Sequence, residues 1–224
     1  MTTLLLSGWA QPVDAIAHLV PEAVTFDYSA YPSPGEAIIA LKNIPHTKCV
    51  AWSMGGQLAL MAIAAGAIAP AHLTLIAAPH RFVGEGGMGA ETFRLFRESY
   101  AADPARTKAR FHGLIAKGDQ RLRAVMELLG HHPQAEETAR WLPWLDHLGS
   151  HAIDTSALAN APPTLIIHGM NDQIVPHAQS EFLARALPRA TLHSWANVGH
   201  APHLHDPARL IAHINAHRAA HGVT

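Results

Sequence analysis

Short apolar runs alternate with helix-like segments along the first part of this chain, and that alternation narrows the possible folds more than any other feature. Leu4-Leu5-Leu6 reads as a strand that stops at Ser7-Gly8, and residues 12–20 read as a helix. A second strand is expected over Val24–Tyr28, and a turn and helix over Pro32–Leu41. Lys48–Trp52 reads as a third strand, Gly55–Gly66 as a helix and His72–Ala77 as a fourth strand. Strands separated by helices cannot pair as hairpins. The order therefore predicts a parallel sheet covered by helices on both faces.

The rhythm breaks after residue 79. Residues 80–155 hold no strand-like run, only helix-like stretches at 91–101, 104–117 and 119–129 and then Trp141-Leu-Pro-Trp144. It returns with Thr164–His168, a helix near 177–187, a strand at 190–195 and a last helix over 206–218, with Asp206 as N-cap and Pro207 in the first turn. The expected architecture is α/β, with a doubly wound, mostly parallel six-stranded sheet. Its core is assigned to residues 1–79 and 156–224, and residues 80–155 to a helical lid insertion.

Composition agrees with a packed domain. The chain has 224 residues, 49% hydrophobic and 15% charged, enough for a substantial core and too apolar for disorder. The lone cysteine, Cys49, lies in an apolar run, cannot form an internal disulfide and reads as a buried strand residue of a protein in a reducing compartment. No basic n-region precedes Leu4-Leu5-Leu6, and the apolar stretch Leu58–Pro70 is shorter than the ~20 residues a bilayer needs. That stretch reads as a buried helix, and a cytoplasmic location is the default.

Ser53 is the candidate nucleophile. It stands between a strand and a small-residue helix in Val50-Ala51-Trp52-Ser53-Met54-Gly55-Gly56. A serine there occupies a strained turn that requires small neighbours two residues away on either side, and the following helix aims its positive end at the site. Ala51 replaces the usual glycine on one side. A serine hydroxyl needs a base, and the base an orienting carboxylate. Asp172 follows the Thr164–His168 strand, ahead of Asn171 and the more distant Asp154 as candidate acid. His200, in Gly199-His200-Ala201-Pro202, follows the last strand, with His203 and His205 as rivals. The N–H groups of Met54 and Trp9 are the candidate oxyanion donors. Spacings such as His200, His203 and His205, or His213 and His217, are expected by chance among 18 histidines. No metal and no cofactor is expected.

Ser7-Gly8-Trp9, Asp27-Tyr28, Val50–Gly55, Asp172 and Gly199–Pro202 together resemble the α/β-hydrolase family, and within it the pimeloyl-[acyl-carrier-protein] methyl ester esterases of biotin synthesis. The resemblance covers most of the core and little of residues 80–155. It implies a serine carboxylesterase with the triad Ser53, Asp172 and His200, acting on an ester held by an acidic carrier protein. Residues 81–123 fit such a partner, with nine Lys/Arg against five Asp/Glu, so this stretch nets +4 while the rest nets −5. Arg94, Arg97, Arg106, Lys108, Arg110, Arg121 and Arg123 are the candidate docking residues. A nucleic-acid partner is not expected, because no basic groove is interleaved with aromatics. A membrane partner is not expected either, and a monomer is the default. The alternatives are a generic carboxylesterase or a carbon–carbon hydrolase on the same scaffold, and a non-catalytic binding protein. A dehalogenase would need an aspartate where Ser53 stands.

Overall fold

The computed structural model describes residues 2–130 and 138–223. Six strands form one sheet: β1 (Thr3–Leu6), β2 (Val24–Thr25), β3 (Lys48–Trp52), β4 (His72–Ile76), β5 (Thr164–Gly169) and β6 (Ala190–Trp195). Their order is β2-β1-β3-β4-β5-β6 and every pairing is parallel. β1, β3, β4 and β5 are buried along their whole length, as a sheet covered on both faces requires. This explains why they read as continuous apolar runs rather than alternating ones.

Two helices, α1 (Pro34–Leu41) and α2 (Met54–Ala64), precede the β4–β5 connection. The β4–β5 connection itself carries α3 (Ala90–Ala102), α4 (Pro104–Ala116), α5 (Leu122–Gly130) and α6 (Thr138–Ser150). The chain then adds α7 (Ala178–Ala186) between β5 and β6, followed by the short α8 (Pro202–His205) and α9 (Pro207–Ala220). Asp206 does cap α9, accepting from the Arg209 N–H at 2.9 Å. Among the described residues no helix is long and apolar enough to cross a membrane.

Several expected elements are shorter or tighter. The second strand ends after Thr25 because the Asp27 carboxylate accepts from the Ser29 N–H and hydroxyl, turning the chain into a single 3-10 turn at Tyr28–Ala30. Val13–Leu19 is a 3-10 helix rather than an α-helix. The apolar stretch from Leu58 stays helical only to Ala64. Gly66, at φ +63°, ends it in a Schellman turn, with the Ala67 N–H on Ala62 O and the Gly66 N–H on Ile63 O. α5 starts at Leu122 rather than 119, because the Asp119 carboxylate engages the Arg121 N–H first.

At the opposite end of the sheet from the strand termini that carry Trp52 and Gly169, His72 opens β4 fully buried and is hydrogen-bonded to His217 at 2.8 Å. Burial, with Arg218, His217, His221 and Lys48 nearby, pushes its pKa down from 6.5 to about 3. The unfolded chain therefore takes up this proton first as pH falls, so His72 removes stability from about pH 6.5 down towards 3. In urea unfolding across that range, His72→Phe is expected to flatten the acid-side slope of stability against pH. An unchanged slope would contradict the assignment.

Candidate active site

The loops that follow β1, β3, β5 and β6 all leave the same edge of the parallel sheet. They bring residues from distant parts of the sequence together there. Ser53 caps α2 with φ 54° and ψ −120°, a left-handed backbone that side chains rarely adopt. The turn is held from both sides. The Ser53 N–H donates to Ile76 O at 2.8 Å, and a Cβ on Gly55 would stand 2.3 Å from Leu6 O. Only glycine fits at residue 55. Ala51, by contrast, is an ordinary buried strand residue in register with Leu6 and Leu75, so the extra methyl there is accommodated.

Ser53 Oγ lies 3.0 Å from His200 Nε2, and His200 Nδ1 lies 2.6 Å from Asp172 Oδ2. Because Nδ1 faces a carboxylate, it carries the proton, and Nε2 is left to accept from the Ser53 hydroxyl. Asp172 is 8% exposed and its carboxylate is saturated with donors. Oδ1 accepts from the Ile174 and Val175 N–H groups at 2.8 and 2.9 Å, while Oδ2 also receives His168 Nε2 at 3.0 Å. Burial alone would raise this carboxyl. The charge of His200 and the hydrogen bonds from His168 and His200 outweigh it and hold the pKa well below the usual carboxylate range. Asp172 thus stays ionised beside the imidazole. The arrangement can draw a proton from the Ser53 hydroxyl and stabilise the imidazolium that results.

The rivals are otherwise occupied. His203 packs its ring on Trp52, His205 Nδ1 meets Asp119 Oδ1 at 2.8 Å, and Asp154 caps the 3-10 turn at Thr155–Leu158. Asn171 donates its side-chain amide to Gly118 O. Burial pushes the Cys49 thiol up to about 12, so it is no nucleophile. Met54 opens α2, where the first N–H groups have no intrahelical acceptor. Trp9 follows Gly8 in the β1 loop, and its indole N–H donates to Trp141 O at 3.0 Å. Its ring meets Phe96, Tyr100 and Phe111 edge-on, so the β1 loop is tied to α3, α4 and α6.

Three supporting residues escaped the sequence reading. His168 binds the Asp172 carboxylate. Trp52 donates its indole N–H to His200 O at 3.0 Å. Asp119, from the turn between α4 and α5, accepts from the Gly199 N–H and from His205, while Ile115 O receives the His200 N–H. A buried polar residue closing an apolar run was the only signal for His168, and nothing local marked Asp119. Among the basic residues, Arg94 is paired with Glu91 and Glu98, and Arg97 with Asp146. Arg106, Arg110, Arg121 and Arg123 are exposed. Lys108 is not available for docking: it is 6% exposed, on the face of α4 that buries Thr107, Phe111, His112 and Ile115.

The model of the alpha/beta hydrolase family matches residues 4–213. A pimeloyl-[acyl-carrier protein] methyl ester esterase of Aromatoleum aromaticum is 31% identical over 91% of this chain and 92% of its own. One from Nitrosomonas europaea is 30% identical over 74% of this chain and 68% of its own. An esterase of Exiguobacterium antarcticum superposes with a TM-score of 0.76 at 17% identity, covering 96% of this chain and 91% of that one, which is a likeness of fold.

Asp119→Ala strips acceptors from Gly199, Arg121 and His205 at once. It is expected to cost about 1–3 kcal/mol of stability in urea denaturation, the usual effect of leaving buried donors unpaired. Wild-type stability in this variant would show that the Asp119 contacts contribute nothing.

Proposed function

Because the chain belongs to the alpha/beta hydrolase family, we propose that it is a serine esterase whose substrate is the methyl ester of a pimeloyl chain carried on acyl carrier protein. The serine mechanism rests on one observation, the run of hydrogen bonds from Ser53 through His200 to a buried, ionised Asp172. His200 Nε2 takes the hydroxyl proton as Ser53 Oγ attacks the ester carbonyl. The N–H groups of Met54 and Trp9 receive the oxyanion. His200 returns the proton to methanol, which leaves, and then activates a water that releases the acid from Ser53. Asp172 fixes the imidazole tautomer and stabilises its charged form throughout. None of these steps calls on a cofactor.

The substrate reading draws support from two sides. Relatives about 30% identical over most of the chain carry that enzyme's name. The helices between β4 and β5 also bear exposed Arg106, Arg110 and Arg123, and an acidic carrier would be steered towards them, whereas the Arg121 guanidinium is turned to the His205 carbonyl. Arg94 and Arg97 are weaker candidates, since their charges are met by Glu91, Glu98 and Asp146. Within residues 80–155, α3, α4 and α6 act in this scheme as a lid over the ester, anchored through their contacts with Trp9, while residues 131–137 lie outside the described residues.

Ser53→Ala is expected to lose at least about a thousand-fold in turnover of any ester substrate. Residual wild-type turnover would overturn the serine mechanism. Joint charge reversal of Arg106, Arg110 and Arg123 to Glu is expected to raise KM for the carrier-bound methyl ester roughly tenfold, leaving short free esters unaffected. Added salt should act in the same sense. A preference for short free esters that ignores salt would remove the carrier and leave a general esterase.

A further inference from the structure

Asp172 receives two histidines, and the mechanism above uses only one of them. His168 lies in β5, wholly buried, four residues before the aspartate. Its Nε2 is 2.9 Å from Val175 O and 3.0 Å from Asp172 Oδ2. Both neighbours are acceptors, so Nε2 must carry a proton and donate. Its Nδ1 is 2.5 Å from Ser180 Oγ in α7, whose hydroxyl is then the donor. The ring is thus clamped at both ends, from α7 on one side and from the acid loop on the other. Asp172 Oδ2, the atom that binds His200 Nδ1, is the one that also meets His168.

We propose that His168 is a positioning residue of the active site, which donates a hydrogen bond to Asp172 Oδ2 and thereby sets both the direction of that carboxylate and the basicity of His200. This rests on the serine-esterase reading of the site. A donor on Oδ2 draws negative charge away from the bond to His200. Without it the carboxylate concentrates its charge on His200 Nδ1–H, favours the imidazolium and leaves less neutral base at a given pH. The bond therefore divides the carboxylate's charge between two imidazoles instead of leaving all of it to His200. It also fills the last acceptor direction of a carboxylate shut away from water, which would otherwise carry an unmet lone pair.

Other charged and titratable groups around this pair are fixed by their own partners. His177, at the start of α7, meets the His168 ring edge-on at 5.6 Å and is itself held by Ser194 Oγ and by Glu181 at 3.5 Å. Across the His200 loop stand Asp119 with His205, and His203 against Trp52. Among the described residues only His168 and His200 hydrogen-bond Asp172 Oδ2. The first of these contacts makes a replacement at His168 report on the carboxylate directly.

Two polar replacements separate the two ends of the ring. Gln at residue 168 can place its amide N–H where Nε2 stands, towards Asp172. Asn reaches only the Ser180 end. The test is the rate of Ser53 labelling by a fluorophosphonate, measured against pH in wild type, His168→Gln, His168→Asn and His168→Leu. His168→Asn and His168→Leu are expected to move the acid limb up by roughly half a unit to one unit, while His168→Gln stays near wild type. Labelling below the limb should then fall about three- to tenfold in the first two variants, as a shift of that size requires. The Gln and Asn pair keeps the test usable if the Leu variant fails to fold, as judged by circular dichroism. Superimposable acid limbs in all folded variants would overturn the proposal. So would a uniform loss at every pH that Gln does not restore, because that is the mark of packing alone. If wild type itself is not labelled at Ser53, the serine-esterase reading fails instead.

Discussion

Parallel pairing across all six strands is the constraint from which the site follows. When every strand runs the same way, the loops after β1, β3, β5 and β6 must leave from one edge, and each return crossing must pass over one or other face of the sheet. The strand order reverses direction between β1 and β3, since β2 lies on one side of β1 and β3 through β6 lie on the other. Loops diverge at such a point and leave a crevice. Trp9 stands on one side of that crevice and Ser53 on the other. Asp172 and His200 come from neighbouring strands further along the same edge, which brings Ser53 within hydrogen-bond reach of a histidine 147 positions away.

Two energetic debts are met locally at that edge. The left-handed backbone at Ser53 is held by a hydrogen bond to β4 and by the close approach of Gly55 to β1. The second debt is the buried charge of Asp172. Two backbone N–H groups and two histidines surround it, and they together hold its pKa down despite burial. The helices between β4 and β5 take part in the same arrangement. Their Gly118–Asp119 turn touches both the acid loop, through Asn171, and the histidine loop, through Gly199. A movement of those helices would thus be felt at His200, whose own N–H rests on Ile115 O.

Much of this was legible in the sequence, for identifiable reasons. The buried strands announce themselves as apolar runs because both of their faces are covered. Ser53 directly follows such a run, and Asp172 and His200 lie in the loops after β5 and β6, so local pattern and chain order made them the leading candidates over Asn171, Asp154, His203 and His205. What escaped depends on contacts between residues far apart in sequence, or on competition decided by a single side chain. The β2 strand is cut short by the Asp27 carboxylate, a local bond that β propensity ignores. Lys108 looked like part of a basic surface, yet helical periodicity turns it inward with Phe111 and Ile115. Asp119 acts on Gly199 across 80 positions, and nothing near it in the chain signals that contact. His168 ends a strand as many buried polar residues do, and only the fold shows which carboxylate it meets.

The central claim is that Ser53 forms a covalent bond to the acyl group during turnover. The direct measurement is mass analysis of the protein and its peptides after rapid acid quenching of a reaction with the methyl ester of the pimeloyl carrier protein, or with a slowly hydrolysed aryl ester. The account predicts a transient mass increase equal to the acyl group, confined to the peptide containing Ser53. Product formation at full rate with no acylated Ser53, or with the acyl group on another residue, would contradict it.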